Sequence, residues 1–301
     1  MEGYSVSHVF HGLMCFSKGP SSKIYNTTTR QLVVLPDVEE SNMFMAENDN
    51  FKQIMFMYQI GYDPVQDQYK VVCRVARRTF DEFGRELPTF LPEHWVLLLG
   101  GDGSSRWRKI PSICPPHIII IKLWTINGGM HYLAWVRYPD LVLVSFDIST
   151  EEISMLQLPE DIQFSWKTNI IEYGGKVAIL GYTHLKTKGM MKLWVMEDAD
   201  KNRWSKTLVL HSSQIPIVDK TNLLLHSTTR NGEVMFLITQ SSSPTRRKVL
   251  EPQNKALFYI FLYDLQKNHM RKVEVKETPN GYLTKFCDVA GLDDVENLIY
   301  L

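Results

Sequence analysis

The chain has 301 residues, of which 44% are hydrophobic, 11% aromatic and 22% charged, a composition typical of folded proteins and unlike that of disordered chains. Lysine plus arginine and aspartate plus glutamate number 33 each, so no net field attracts nucleic acid or an anionic membrane. No uninterrupted apolar run approaches the roughly 18 residues of a membrane span. We therefore expect no nucleic-acid partner and no membrane.

The first residues, Met1 to Ser5, lack the basic and apolar regions of a secretory signal. This predicts a protein of the cytoplasm, the nucleus or both. The four cysteines are widely spaced and form no CxxC pair, which favours buried thiols over disulfides or metal ligands. They are Cys15, Cys73, Cys114 and Cys287.

Along the chain, apolar runs rich in Val, Ile, Tyr, Phe and Trp alternate with Gly, Pro, Asn, Asp and Ser clusters. This pattern predicts strands and turns, with no sustained helical period. One unit recurs, in which a strand ends in an aromatic residue next to Asn or Asp, a polar turn follows, and a second apolar strand returns. It covers 24–36, 60–72, 144–159 and 261–275, with tryptophan-containing variants at 95–107 and 193–204.

A second unit precedes several of these hairpins and contains Asn127-Gly128, Gly174-Gly175 or Asn231-Gly232 between apolar strands. Such pairs are strong hairpin signals, because both central residues of the favoured turn need a positive φ. Two alternating hairpins make a four-stranded antiparallel module of about 45 to 55 residues, the period of a propeller blade.

The predicted fold is therefore all-β, with antiparallel four-stranded blades in a β-propeller-like, kelch-like arrangement of about five or six repeats. One domain would occupy residues 1–301, and Thr284 to Ala290 would pair with the N-terminal blade. A β-sandwich or two small β domains remain as alternatives.

No linear motif for chemistry is present, since HExxH, GxSxG and the phosphate-loop pattern are all absent. His8 and His11 lie three residues apart and would point to opposite faces of a strand, a poor geometry for a shared metal. We predict no catalytic residue, no metal and no cofactor. The alternative function is a propeller enzyme or small-ligand binder with a site in a central channel.

The insertion from Arg77 to His94 mixes aromatic and charged residues, a composition suited to a protein interface. Its candidate partner-binding residues are Phe80, Phe83, Arg85 and Phe90. In the alternative, this segment folds its aromatic rings back onto its own blade.

Several ordered motifs together resemble the F-box associated domain of plant F-box proteins. These are 11–16 (HGLMCF), 25–36, 61–72 (GYDPVQDQYKVV), 107–110 (WRKI), 127–133 (NGGMHYL), Phe146-Asp147 and Leu158-Pro159. The resemblance covers nearly the whole chain. It implies a kelch-like propeller that holds an unknown target protein and performs no chemistry. In that family a separate F-box docks on the Skp1 adaptor of a cullin-based ubiquitin ligase.

An F-box would need roughly 40 to 50 helical residues ahead of the first motif, which begins about ten residues after Met1. Leu158 to Ile162 only superficially resembles an F-box opening, and we interpret it as a turn between blades. We therefore expect a non-catalytic interaction domain of the substrate-recruiting type that does not dock Skp1 by itself. Either the loss of the F-box, or an F-box encoded upstream and missing from the gene model, would account for the lack of an F-box ahead of the first motif.

Overall fold

The computed structural model describes residues 3–38, 51–80, 86–87, 92–100, 106–111, 114–120, 124–137, 139–162, 165, 167–210, 222–229, 231–239 and 258–275. The chain divides into two compact units, Met1–Pro159 and Glu160–Leu301. The single domain expected over residues 1–301 stays a prediction.

Three antiparallel sheets form the first unit, and each runs up and down in sequence order. The first sheet consists of β1 (Ser5–Phe10), β2 (Leu13–Lys18), β3 (Ser21–Asn26) and β4 (Leu32–Val34). The second consists of β5 (Phe51–Asp63), β6 (Gln68–Phe80), β7 (Glu86–Leu87), β8 (Glu93–Leu98) and β9 (Arg108–Ile110). The third consists of β10 (Ile118–Ile119), β11 (Trp124–Ile126), β12 (Gly129–Arg137), β13 (Asp140–Asp147) and β14 (Ile153–Gln157).

Two further four-stranded sheets form the second unit. The fourth sheet consists of β15 (Thr168–Tyr173), β16 (Lys176–Gly181), β17 (Met190–Asp198) and β18 (Arg203–Leu210), with the four-residue helix α1 (Leu185–Lys188) between β16 and β17. The fifth consists of β19 (Asn222–Thr228), β20 (Val234–Thr239), β21 (Phe258–Asp264) and β22 (His269–Val275).

Each sheet is the four-stranded meander of a propeller blade, and we number the sheets blades 1 to 5, with strands A to D in chain order. In blade 2 the short β7 pairs with β6 beside the main path, and in blade 3 the A position is shared by β10 and β11. The prediction of an all-β fold made of antiparallel four-stranded blades is confirmed. The sequence at Leu158 to Ile162 lies between β14 and β15 and includes a turn, as expected.

The turns between strands C and D share one device. Asn26, Asp147 and Asp264 each end a C strand, and their side-chain oxygens accept hydrogen bonds from the N–H groups two and three residues further on, at 2.8–3.1 Å. A side chain that satisfies turn N–H groups favours a tight reversal over continued strand. In these three hairpins the Asn or Asp therefore marks the end of strand C.

The turns between strands A and B follow the expected chemistry in two of three predicted cases. Both central residues have positive φ in Asn127-Gly128 (46° and 74°) and in Gly174-Gly175 (59° and 74°). In blade 5 Gly232 has a φ of 79°, but the N–H of Thr229 donates to the carbonyl of Glu233. Three residues, not two, separate that pair, so the predicted two-residue turn at Asn231-Gly232 is wrong in length.

The core of the first unit lies between facing sheets. Cys15 and Ile24 of blade 1 pack with Tyr58, Val71 and Cys73 of blade 2 in one buried cluster. A second buried cluster joins blade 2 to blade 3. The predicted burial of Cys15, Cys73 and Cys114 as thiols is confirmed, and Cys287 lies outside the described residues.

Gly61 on β5 lets blades 2 and 3 approach closely. A Cβ atom at this position would lie 2.4 Å from Cδ1 of Ile148 and 2.9 Å from Cε of Met130. Both atoms belong to blade 3 side chains that are themselves buried. Glycine is therefore required here for lack of space and not for an unusual backbone conformation.

Strand β4 is the outer edge of blade 1 and consists of three residues. Leu32, Val33 and Val34 are 47%, 52% and 66% exposed, and the strand pairs with β3 on one side only among the described strands. It carries the largest run of exposed apolar side chains in the described part of the chain.

We predict that Gly61→Ala lowers the free energy of unfolding by about 1 to 3 kcal/mol, the usual cost of overpacking a core. Urea denaturation followed by tryptophan fluorescence measures this change. Ser154→Ala on β14, at an exposed strand position, is the matched control and should change stability by less than about 0.5 kcal/mol. Equal stabilities of the two variants would contradict the close approach of blades 2 and 3.

Candidate functional site

The A–B hairpin of blade 1 brings an exposed imidazole to its tip. His11 and Gly12 join β1 to β2, with φ values of 48° and 77°. The hydroxyl of Thr27 donates to the carbonyl of Gly12 at 2.8 Å, which ties this turn to the C–D turn of the same blade. His11 thus occupies a position usually taken by Asn or Asp, and it is held there by its neighbours.

Four aromatic rings from blades 1 and 2 lie side by side at this end, and we call Phe10, His11, Tyr62 and Tyr69 the hairpin platform. Phe10 stacks on His11 with ring centroids 3.9 Å apart, and the edge of His11 meets Tyr69 at 6.5 Å. Tyr69 in turn contacts Tyr62 at 5.1 Å. All four rings are partly or fully exposed.

The two tyrosines are cross-strand neighbours on one face of the β5–β6 hairpin. Tyr62 is directly opposite Tyr69 in the ladder, and residues opposite each other share a face. The hydroxyl of Tyr62 donates to Oδ1 of Asp67 at 2.5 Å. This hydrogen bond raises the pKa of Tyr62, so the phenol keeps its proton at neutral pH.

Buried charges on the other face hold this hairpin in place. The ammonium group of Lys70 lies 2.9 Å from Oδ2 of Asp63 and 3.1 Å from Oε1 of Glu151, and it donates to the carbonyl of Ile148 at 2.8 Å. Lys70 and Asp63 are 1% and 0% exposed. All three ammonium protons have an acceptor, the condition under which a buried lysine is tolerated.

Asp63 also shapes the turn itself. Its Oδ1 accepts hydrogen bonds from the N–H groups of Val65 and Gln66 and from the hydroxyl of Ser149. Desolvation in the buried site opposes ionisation, but the hydrogen bonds from Lys70, Ser149 and the turn outweigh it and lower the pKa of Asp63 to about 2. The carboxylate is therefore charged throughout the physiological range, and the turn it supports is rigid.

The chain matches the family model of the F-box associated beta propeller domain over residues 1–295. It belongs to the F-box associated domain family. The resemblance seen in the ordered sequence motifs is thereby confirmed.

Relatives of this F-box associated domain occur in Arabidopsis thaliana. An F-box/kelch-repeat protein is 60% identical over 304 residues, covering 100% of this chain and 68% of the relative. An F-box protein is 54% identical over 305 residues, covering 100% and 69%. An F-box/LRR-repeat protein is 36% identical over 314 residues, covering 100% and 67%. The chain thus spans about two thirds of each of these plant proteins.

The predicted partner-binding residues of this F-box associated domain lie largely outside the described residues. Phe80 is the last residue of β6, and its backbone pairs with Glu86 of β7. Phe83, Arg85 and Phe90 fall in segments that are not described. The start of the insertion is thus strand, because Arg77 to Phe80 extend β6. The role of these four residues in partner binding stays a prediction.

Buried titratable groups of the domain converge between blades 2 and 3. Nε of Arg74 donates to Nε2 of His94 at 3.1 Å, and its guanidinium carbon lies 3.9 Å from the ring centroid of Tyr132. The Tyr132 hydroxyl donates to Nε2 of His117 at 2.7 Å, and Nδ1 of His117 donates to the carbonyl of Pro115. All four side chains are buried, so this cluster joins the blades and presents nothing to solvent.

Burial lowers the histidine pKa values in the domain. Desolvation and the Arg74 charge lower the pKa of His94 well below its usual range. Desolvation lowers the pKa of His117 to about 4. In blade 3 it lowers the pKa of His131, which bonds to Ser145 and Ile126, to about 4 as well. These side chains are neutral at pH 7.

The described part of the domain has neither a cluster of metal ligands nor a membrane-spanning helix. Its residues contain no group of three or more His, Cys, Asp or Glu side chains placed to hold a metal ion. His8 accepts a hydrogen bond at Nδ1 from the N–H of Ile60 at 3.1 Å, while His11 belongs to the platform. No helix in the described ranges is long and apolar enough to cross a membrane.

We predict that Lys70→Met lowers the free energy of unfolding by about 3 to 5 kcal/mol, because it leaves the buried Asp63 carboxylate without its counter-charge. Urea denaturation at pH 7 measures the loss. Lys109→Met is the control, since Lys109 pairs with Glu93 at 2.8 Å but is 51% exposed, and it should cost less than about 1 kcal/mol. Similar losses in the two variants would contradict the supporting role of Lys70.

We predict that stability falls as the pH drops from 6.5 towards 4. Because the folded-state pKa values of His117 and His131 are depressed to about 4, the unfolded chain takes up protons first. This part of the stability is complete above pH 6.5 and is lost as the pH falls through about 4. Thermal midpoints between pH 7.5 and 4 measure the effect.

His117→Gln should flatten that profile, and His184→Gln, at an exposed position, should leave its slope unchanged. A wild-type thermal midpoint that does not vary between pH 6.5 and 4 would contradict the assignment of neutral buried histidines.

Proposed function

We propose that this F-box associated domain binds a target protein through the hairpin platform and serves as the substrate-recruiting part of an SCF-type ubiquitin-ligase receptor. The observation that supports this most strongly is the platform itself. Phe10, His11, Tyr62 and Tyr69 are in ring-to-ring contact and partly exposed. Rigid aromatic side chains at a surface supply large contact area at low cost in conformational entropy.

The physical basis of the proposal is preorganisation. Binding energy is reduced by the entropy lost when interface side chains become ordered. The rings of the platform already restrain one another, and Asp63 and Lys70 fix the hairpin that carries two of them. A target would therefore bind a surface whose side chains have already lost most of their conformational entropy on folding.

We also propose that the domain performs no catalysis and does not itself dock Skp1. The buried titratable side chains around Arg74 are enclosed between blades 2 and 3 and present no group to solvent. Docking through an F-box requires helices, and the only helix in the described ranges is α1, with four residues.

We predict that the platform variants His11→Asn and Tyr62→Ala each reduce the capture of target proteins from plant extract by about tenfold or more, as expected for the loss of an aromatic anchor. The full 301-residue chain is the bait, and captured proteins are quantified by mass spectrometry. Asn tolerates the positive φ of His11, so the first variant removes a ring without disturbing the turn.

Tyr4→Ala is the control, because the ring of Tyr4 already faces the ammonium group of Lys23 at 4.3 Å. Captured proteins that are equally enriched on all variants would contradict the platform as the binding surface. Enrichment of Skp1-type adaptors on the wild-type bait would contradict the proposal that this chain does not dock Skp1.

A further inference from the structure

One end of the hairpin platform combines two aromatic faces with a carboxylate, and we call Tyr62, Tyr69 and Asp67 the acidic aromatic corner. The tyrosine rings lie 5.1 Å apart with their planes at 53°. Oδ1 of Asp67 accepts a hydrogen bond from the Tyr62 hydroxyl, and Oδ2 accepts none from the described residues. The faces of aromatic rings carry negative electrostatic potential, so the ring faces and the carboxylate attract the same kind of ligand.

Among the described residues, no lysine or arginine pairs with Asp67 at the corner. Lys70 is the nearest lysine in the hairpin, and its ammonium group is committed to Asp63, Glu151 and the carbonyl of Ile148 on the opposite face. The exposed turn residues Pro64, Val65, Gln66 and Gln68 are uncharged. Asp67 therefore leaves a local negative charge at the tip of the hairpin.

Two other partly exposed aromatic rings of the chain each carry a lysine. Lys23 lies over Tyr4 at 4.3 Å, and Lys109 lies over Trp95 at 5.7 Å. In the described part of the chain, no lysine or arginine lies over Tyr62 or Tyr69. The fold thus places its own cations on two partly exposed rings, whereas among the described residues the tyrosine rings of the corner adjoin a carboxylate and no cation.

We propose that the acidic aromatic corner receives a lysine or arginine side chain from an extended segment of the target protein. The proposal rests on the proposed function and specifies the chemistry of the partner at the same surface. The ammonium or guanidinium group would face the tyrosine rings and pair with Asp67. The aliphatic stem would pass along Val65, which is 81% exposed, since long cationic side chains cover apolar surface in this way.

The test uses a display library of random twelve-residue peptides selected on the full 301-residue chain. We expect the selected peptides to be enriched in Lys or Arg. Asp67→Asn should weaken their binding by about fivefold, and replacing the peptide's Arg by citrulline, or its Lys by norleucine, should weaken it by about the same factor. Both changes together should cost little more than either alone, because they remove one interaction. Fluorescence anisotropy measures the dissociation constants.

The variant Asp67→Asn suits this cycle because Asn tolerates the positive φ of 52° at this position and retains an oxygen for the Tyr62 hydroxyl. Tyr62→Leu should also weaken the binding of the cationic peptides by about fivefold. Asp140→Asn, at the exposed first residue of β13 in blade 3, is the matched charge control and should leave binding unchanged.

Peptides selected without Lys or Arg, cationic peptides insensitive to Asp67→Asn, or the failure to select any peptide would each overturn the proposal. Self-association of the chain that Asp67→Asn abolishes, measured by analytical ultracentrifugation, would assign the corner to a second copy and overturn it too. If Tyr62→Ala still abolishes target capture while Asp67→Asn does not, the corner proposal fails and the proposed function stands.

Discussion

The arrangement of the tyrosines in the hairpin platform depends on one buried ammonium group. Lys70 is enclosed where blade 2 meets blade 3, and its three protons go to Asp63, to Glu151 and to the carbonyl of Ile148. An ammonium group without acceptors would cost several kcal/mol in this position. The A–B hairpin of blade 2 and the C–D turn of blade 3 must therefore form together, and neither can shift alone. Successive side chains of a strand point to opposite faces of the sheet. The ion pairs on one face of the hairpin therefore fix the position of the tyrosines on the other face.

Much of the fold could be predicted from the sequence because turn chemistry is local. A C strand that ends at Asn or Asp followed by polar residues predicts its own reversal, and Asn26, Asp147 and Asp264 act as expected. The turn at His11-Gly12 is harder to recognise, since the pairs that signal such a turn are Asn-Gly, Asp-Gly and Gly-Gly. The length of the turn at Gly232 depends on the backbone pairing of Thr229 with Glu233, which residue types alone do not determine.

The candidate site was much less predictable, and the reason is physical. The aromatic residues of the 77–94 insertion could be proposed as a binding surface because they cluster in sequence. The platform, in contrast, combines residues from two blades. His11 and Tyr69 meet only because β1 and β2 pack against β5. A signal for half of the platform was present, however. Tyr62 and Tyr69 flank the turn symmetrically, and residues at equal distances from a hairpin turn are opposite each other.

The exposed strand β4 has a consequence for the behaviour of the molecule at high concentration. Among the described strands β4 has a neighbour on one side only, and an apolar edge of that kind invites strands of other molecules to add to the sheet, the first step towards fibrous aggregates. With three residues in β4, an incoming strand could gain only about one or two backbone hydrogen bonds. Pro36 follows shortly afterwards and has no N–H to offer. Because β4 is so short, blade 1 is protected from the repeated addition of strands from other molecules, although the exposed side chains of this edge are apolar.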